Sequence, residues 1–379
     1  MPGAVNDLVI VLTYYSPYVS GLTNVARDVA EGLAARGYRI TVVTSQHDRR
    51  LPVEDAVNGV RVVRAPVWTR MGKGAISPLF TRLAIREART ARVVNVHLPM
   101  LEAGVVAWSS SAPVVATYHC DVSLPPGALN TWQHMVIDRS SQMAMRHSTA
   151  VIVTSEDYAR HSRLWTSIQP AMVAIPPPCR PCGGGTPTYR DGHGFHVGFL
   201  GRIVEEKGLD YLVAAFRAMD DPDARLLVGG DFANVAGGSV VDRLRADIDG
   251  DRRIRLLGFI PEEKLPDLYA SMDVLALPSV NAFEAFGIVQ VVAMRAGVPA
   301  LVSNLPGVRI PVLETGFGEI VEPRDVAGLH RALVRLKEGD ALPPDGMRRA
   351  ADLYDIDTVI DVYETLFDKA ASGSRNYGR

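Results

Sequence analysis

Short, unbroken apolar runs of strand length recur along this chain, and most are followed by a stretch of helical periodicity. Residues 8–13 form one such run. A polar loop at 14–21 leads into 23–36, where Val25, Val29 and Leu33 share one face, and Gly37 closes the helix before the next run at 39–44. Strand, loop, helix and strand in that order imply a parallel sheet covered by helices on its faces. Further strands are expected at 60–65, 93–97, 114–118 and 151–154. After three successive prolines at 176–178 and a Gly-rich, aperiodic stretch, the same pattern begins again, with strands expected at 197–201, 225–229, 253–257, 274–277 and 300–303.

The expected architecture is α/β with two Rossmann-like, doubly wound domains facing a central cleft. A chain of 379 residues is longer than one core usually serves. The expected division is 1–174 for an N-terminal domain, 175–195 for a linker, 196–355 for a C-terminal domain, and 356–371 for a helix packing across both. Ligands of such sheets sit beyond the carboxyl ends of the strands, which makes the cleft the expected site.

A formal charge of −2 with 47% hydrophobic residues argues against general affinity for nucleic acid or anionic membranes. Three cysteines, at 120, 179 and 182, are too few for a disulfide framework, and Cys179 with Cys182 lacks the second pair a structural zinc needs. The opening residues carry no basic region before the first strand, so a cytoplasmic location is expected. The loop after that strand lacks G-x-G-x-x-G, which disfavours a nicotinamide cofactor and a dehydrogenase.

Polar chemistry is concentrated in PSVNAFEAFGIVQVVAMRAG, residues 278–297. Glu284 precedes Phe286 and Gly287, and a helix follows whose start is a natural place for an anion. A carboxylate just outside that start would repel the anion but can accept hydrogen bonds from hydroxyls attached to it. Phosphate plus hydroxyls suggests a nucleotide sugar. At the head of the second domain, Arg202 and Lys207 flank a loop that leads into a helix opened by Gly208. The two cations either neutralise a diphosphate or pair with Glu205 and Glu206.

The runs GRIVEEKG and PSVNAFEAFGIVQVVAMRAGVPALVSNLPG, with the early Ser20-Gly21 loop, resemble the retaining nucleotide-sugar glycosyltransferases of family 4, which have the GT-B fold. The resemblance implies that Arg202 and Lys207 hold the donor diphosphate and that Glu284 binds hydroxyls of the transferred sugar. It places the amides of Phe286, Gly287 and Ile288 along sugar and phosphate, Phe259 nearest the nucleobase, and His119 beside the reacting sugar. By the same resemblance the donor is a co-substrate, and neither a metal nor another cofactor is required. His119 follows a strand, so it either bonds a sugar hydroxyl or is a packed histidine. Gly21 either lets backbone amides approach a phosphate or serves a turn. Asp121 either orients the imidazole or binds the acceptor.

One position departs from the family. A second glutamate usually stands eight residues after the first, reaching the ribose hydroxyls, and here that residue is Val292. Another group serves the ribose, the nucleotide lacks a 2′-hydroxyl as in thymidine diphosphate sugars, or donor binding is weakened. The expected chemistry is sugar transfer to a hydroxyl with retention, by same-face displacement in which the departing phosphate takes the acceptor proton. Acceptor contacts are expected in the loops at 14–21, 71–76 and 121–130. A small molecule or oligosaccharide is favoured over a lipid-linked acceptor with peripheral membrane contact, within bacterial natural-product or envelope glycan synthesis. The alternatives are a nucleotide-sugar-binding protein without transfer and a nucleotide-sugar 2-epimerase.

Overall fold

The computed structural model describes residues 6–71, 74–122, 127–231, 240–339 and 342–373. The chain divides into two compact units, one formed by Met1–Pro178 with Ile356–Arg379 and the other by Cys179–Asp355. Parts of the expected acceptor loops, at 72–73 and 123–126, lie outside the described residues, as does the tail beyond 373.

In the first unit the strands are β1 (Asn6–Val11), β2 (Ile40–Gln46), β3 (Glu54–Val57), β4 (Val60–Pro66), β5 (Thr69–Met71), β6 (Gly74–Ile76), β7 (Ala91–Leu98), β8 (Val114–Tyr118), β9 (Ser148–Val153) and β10 (Met172–Ala174). Eight of them form one sheet in the order β10-β9-β8-β7-β1-β2-β4-β3, and β5 and β6 pair separately. Every neighbour in the large sheet is parallel except β3 against β4. The central strands are Val-, Ile- and Ala-rich and buried, as a sheet covered on both faces demands. The first helix spans Gly21–Ala35, two residues earlier than its periodicity suggests, because the Ser20 hydroxyl caps it by accepting from the Thr23 amide at 3.2 Å.

The closing helix, Ile356–Ala371, groups with this first unit. It packs against the Gly21–Ala35 helix, where Gly32 leaves room for Ile360: a Cβ there would lie 3.0 Å from the Ile360 side chain. Arg36 bridges to Glu364 at 2.6 Å, and the Tyr38 hydroxyl donates to Glu364 at 3.0 Å.

The second unit has a six-stranded, wholly parallel sheet: β11 (His196–Leu200), β12 (Arg225–Gly229), β13 (Ile254–Gly258), β14 (Val274–Leu277), β15 (Ala300–Ser303) and β16 (Gly318–Val321), ordered β13-β12-β11-β14-β15-β16. The Gly-rich stretch expected to be linker belongs to this unit from Cys179 on. It is bound in place. Arg190 holds Asp273 at 2.9 Å, the Thr186 amide donates to Asp267 at 2.9 Å, and Gly185 lies so close to Pro266 that a Cβ would come within 2.1 Å of its carbonyl.

Candidate active site

Four neighbouring strands, β13-β12-β11-β14, end side by side, and the second-unit candidates lie on the segments that leave them. β11 runs into the loop carrying Arg202, a short 3-10 turn at Glu205–Lys207, then Gly208 at φ +63° and the helix Leu209–Arg217. Gly208 is glycine for two reasons. Its φ is left-handed, and a Cβ would stand 2.1 Å from the Pro278 carbonyl oxygen. The Val280 amide donates to the Glu206 carbonyl at 3.0 Å, so the Lys207 turn is fastened to the segment that leaves β14.

That fastening brings the motifs together. The Lys207 ammonium bonds the Glu284 carboxylate, while Arg202 reaches Glu206 at 3.2 Å and lies over the Phe283 ring at 5.9 Å. Of the pairings open in the sequence, Arg202 takes the local glutamate, whereas Lys207 takes the distant Glu284. Its ammonium has three donor hydrogens, so a phosphate oxygen can share it with the carboxylate.

The helix Ile288–Arg295 starts beside this pair at Gly287, φ +77°, where a Cβ would sit 2.4 Å from the Leu277 side chain. No side chain caps that start, and the amides of Ile288 and Val289 have no partner among the described residues. They are the orphan donors that bind anions at a helix N-terminus. The Phe286 ring turns into the core, edge-on to Tyr354 at 5.8 Å, and Ile288 packs on the same cluster, so backbone is what either residue offers to a ligand. Gln290, fully buried, donates to the carbonyls of Phe286 at 2.6 Å and Val308 at 2.8 Å and pins the turn. Val292 packs against two hydrophobic clusters. Past the end of β13, Phe259 is 65% exposed, an aromatic face large enough to take a base.

The remaining candidates belong to the first unit. His119 follows β8 and continues its pairing, its amide donating to the Leu98 carbonyl at 3.0 Å. Its Nε2 lies 2.8 Å from Nδ1 of His97 on β7, the rings stacked with centroids 5.0 Å apart. Burial pushes the His119 pKa down to about 3. Burial, reinforced by His119, holds His97 well below the usual histidine range. Both rings are therefore neutral near neutral pH.

Asp121 is engaged elsewhere. Its carboxylate accepts from the Tyr118 hydroxyl and from Ser162 at 3.0 Å, with Arg163 at 3.8 Å, and its amide donates to the Tyr158 hydroxyl at 2.7 Å. The group that meets the His119 imidazole is His97, not Asp121. Gly21 is exposed at the start of its helix. Sequence reasoning missed His97 and Gln290. A polar residue at every second position of an otherwise apolar strand, Asn95 and His97, was the available signal for the first; Gln290 in an apolar helix was the signal for the second.

Comparison with known proteins gives this arrangement its class: the molecule is a glycosyltransferase of the GT-B fold, its two parallel-sheet units each Rossmann-like. The profile described as "Glycosyltransferase Family 4" matches residues 19–179, and that described as "Glycosyl transferases group 1" matches residues 190–351. The chain belongs to family 4 of the glycosyltransferases. It is 27% identical to the phosphatidyl-myo-inositol mannosyltransferase of Mycobacterium leprae over 94% of this chain and 95% of that one. Identity to the 2-deoxystreptamine glucosyltransferase of Streptomyces kanamyceticus is 25%, over 68% of this chain and 71% of the other. Among solved structures, sucrose-phosphate synthase from Thermosynechococcus elongatus superposes with a TM-score of 0.78 at 20% identity, covering 97% of this chain and all of that one. HepE from Anabaena, solved with UDP-glucose, superposes at 0.71 and 18% identity over 95% of this chain and 99% of its own. Among the described residues no helix is long and apolar enough to cross a membrane.

Proposed function

We propose that this glycosyltransferase moves a sugar from a nucleoside diphosphate to an acceptor hydroxyl with retention at the anomeric carbon. The observation that carries the reading is the meeting of Arg202, Lys207 and Glu284 with uncapped helix-start amides at adjoining strand ends. UDP-glucose in the Anabaena neighbour supports a nucleotide-sugar donor for the shared fold. In this reading the amides of Phe286, Gly287 and Ile288 lie along sugar and phosphate, and Phe259 lies against the base. As the bond to the diphosphate breaks, negative charge grows on the leaving oxygens. Arg202, Lys207 and the amides of the Ile288 helix stabilise it in place, without a divalent ion. Glu284, held by Lys207, accepts hydrogen bonds from the sugar rather than attacking it.

The acceptor is assigned to the first unit, near Gly21, His119 and Asp121. Relatives named for inositol phosphate, phosphatidyl-myo-inositol and 2-deoxystreptamine support a polyhydroxylated ring as acceptor, one of them carried on a lipid. The absence of a dense basic or amphipathic stripe in the acceptor loops favours a small molecule, used in the cytoplasm in natural-product or envelope glycan synthesis. Sedimentation with liposomes separates a soluble acceptor route from a membrane-bound one. Val292 favours a second reading, a protein that binds the nucleotide sugar without transferring it. The test is incubation with a panel of nucleoside diphosphate sugars and cyclitol acceptors, with the product's anomeric configuration read by proton NMR. Retained configuration, together with a loss of ~10²–10³ in kcat for Lys207→Ala, supports transfer. Inverted product, or near-normal turnover in Lys207→Ala, overturns the assigned chemistry.

A further inference from the structure

A polar stripe runs through the apolar heart of the first sheet. On β7 and β8, residues Asn95 and His97 stand beside Thr117 and His119 on one face, since His97 is in register with Thr117 and side chains alternate along each strand. All four are buried. Asn95 donates through Nδ2 to the Thr117 hydroxyl and to the Val115 carbonyl, both at 2.9 Å, and the two histidines bond at 2.8 Å. Such a stripe costs desolvation that a run of valines would not. It ends at His119, where the strand gives way to loop.

The histidine pair shares one proton in the contact, and the surroundings decide which ring supplies it. His97 Nε2 is buried and has no hydrogen-bond partner among the described residues. If His119 donated, His97 would carry its own proton on that unpartnered nitrogen, and a buried N–H without an acceptor is among the rarest defects in folded proteins. If His97 donates from Nδ1, only a lone pair is left unpartnered at Nε2. The second arrangement is the less costly. It makes His119 Nε2 the acceptor and places the His119 proton on Nδ1. That Nδ1–H has no partner among the described residues either, but unlike His97 Nε2 it is not one of the fully buried polar atoms, so water or a substrate can meet it.

We propose that His97 is a positioning residue that locks His119 in its Nδ1–H tautomer, so that His119 meets the sugar-bearing substrate as a hydrogen-bond donor and not as a proton acceptor. This rests on the reading of His119 as a group beside the reacting sugar. Both rings being neutral, the donor carries no formal charge, which suits contact with a hydroxyl and leaves the proton transfer of the reaction to the departing phosphate.

The tautomer is measured first, on the whole unliganded protein labelled with nitrogen-15 histidine. Two-bond proton–nitrogen correlations should show His119 with a protonated Nδ1 and an unprotonated Nε2 across pH 6–8; the opposite pattern, or rapid exchange between the two, overturns the proposal. Three variants then separate positioning from packing. In His97→Asn the side-chain amide stands where Nδ1 stood and can still donate; in His97→Gln the donor sits where Nε2 was; His97→Leu has none. Expected is kcat within about threefold of the parent for His97→Asn and at least tenfold lower for the other two, with KM within about twofold throughout. All four tryptophans, Trp68, Trp108, Trp132 and Trp165, lie in the first unit, so their fluorescence confirms that each variant is folded there. Equal kcat in His97→Leu and the parent, or equal losses in folded His97→Asn and His97→Leu, overturns the proposal. A parent that transfers no sugar, yet shows the expected tautomer, refutes the assigned activity and not the locked ring.

Discussion

Replacing Gly208 by alanine tests whether the fastening of the Lys207 turn against Pro278 is what builds the site. Alanine at φ +63° costs roughly 1–2 kcal/mol for the left-handed backbone. The new Cβ would lie 2.1 Å from the Pro278 carbonyl oxygen and 2.8 Å from the Val280 side chain. An ordinary C···O contact is about 3.3 Å, so the two segments must part by about 1 Å, and overpacking of this kind costs about 1–3 kcal/mol. The expected loss of stability is ~2–5 kcal/mol, read as a lower denaturant midpoint. Displacement of a substrate-holding group by ~1 Å can lower kcat/KM by about 10²-fold. Gly250 is the matched control: its φ is +72° but a Cβ there meets nothing within 4 Å, so Gly250→Ala should carry the backbone strain alone and keep full activity. Steady-state turnover of the three proteins with one donor is the assay. If Gly208→Ala keeps kcat/KM within threefold of Gly250→Ala, the contact with Pro278 does not position Lys207, and the argument fails.

Other expectations follow from particular residues. Val292→Glu should restore an acceptor for ribose hydroxyls, raising affinity for uridine or guanosine diphosphate by about tenfold relative to thymidine diphosphate, since a charge-assisted bond contributes about 1.5–3 kcal/mol; unchanged preference in calorimetric titration would remove the link between Val292 and the nucleotide. His97 and His119 have folded pKa values below the unfolded value of about 6.5, so below that pH the unfolded chain binds protons the folded one refuses. Their contribution is complete above about pH 6.5 and is lost as pH falls, at ~1.4 kcal/mol per pH unit for each histidine. Urea unfolding followed by tryptophan fluorescence at pH 7.5 and 5.5 should show a steeper loss for the parent than for the double variant His97→Asn, His119→Asn; equal losses would contradict a buried neutral pair. Turnover should survive a metal chelator, and abolition of activity restored by a divalent ion would refute the metal-free role given to Arg202 and Lys207.

Strands inside the two large sheets were legible, four of them to the residue, while three of the four edge strands were not. The runs at 114–118, 225–229, 274–277 and 300–303 coincide with β8, β12, β14 and β15, because a strand buried on both faces must be apolar throughout. β3, β10 and β16 went unforeseen; they stand at the ends of their sheets, where half-exposed sequences such as EDAV and GEIV give no continuous apolar signal. The candidate site of the second unit was legible for a related reason. The elements proposed to bind the anion are local, a cation-bearing loop before one helix and a glycine before another, and each leaves its mark within a few residues. Pairings that depend on strand order left none. Lys207 meets Glu284 across 77 residues, and His97 meets His119 only because β7 and β8 are neighbours.

The central claim is that the second unit holds a nucleoside diphosphate through Arg202, Lys207 and the start of the Ile288 helix. Thermal unfolding of the parent, Arg202→Ala and Lys207→Ala with uridine, guanosine, adenosine and thymidine diphosphates tests it most directly. A ligand at a hundred times its Kd stabilises by about 2.7 kcal/mol. The account predicts a shift of that size with one base preferred, and its loss in both variants. No shift with any nucleotide, or the same shift in all three proteins, would contradict it.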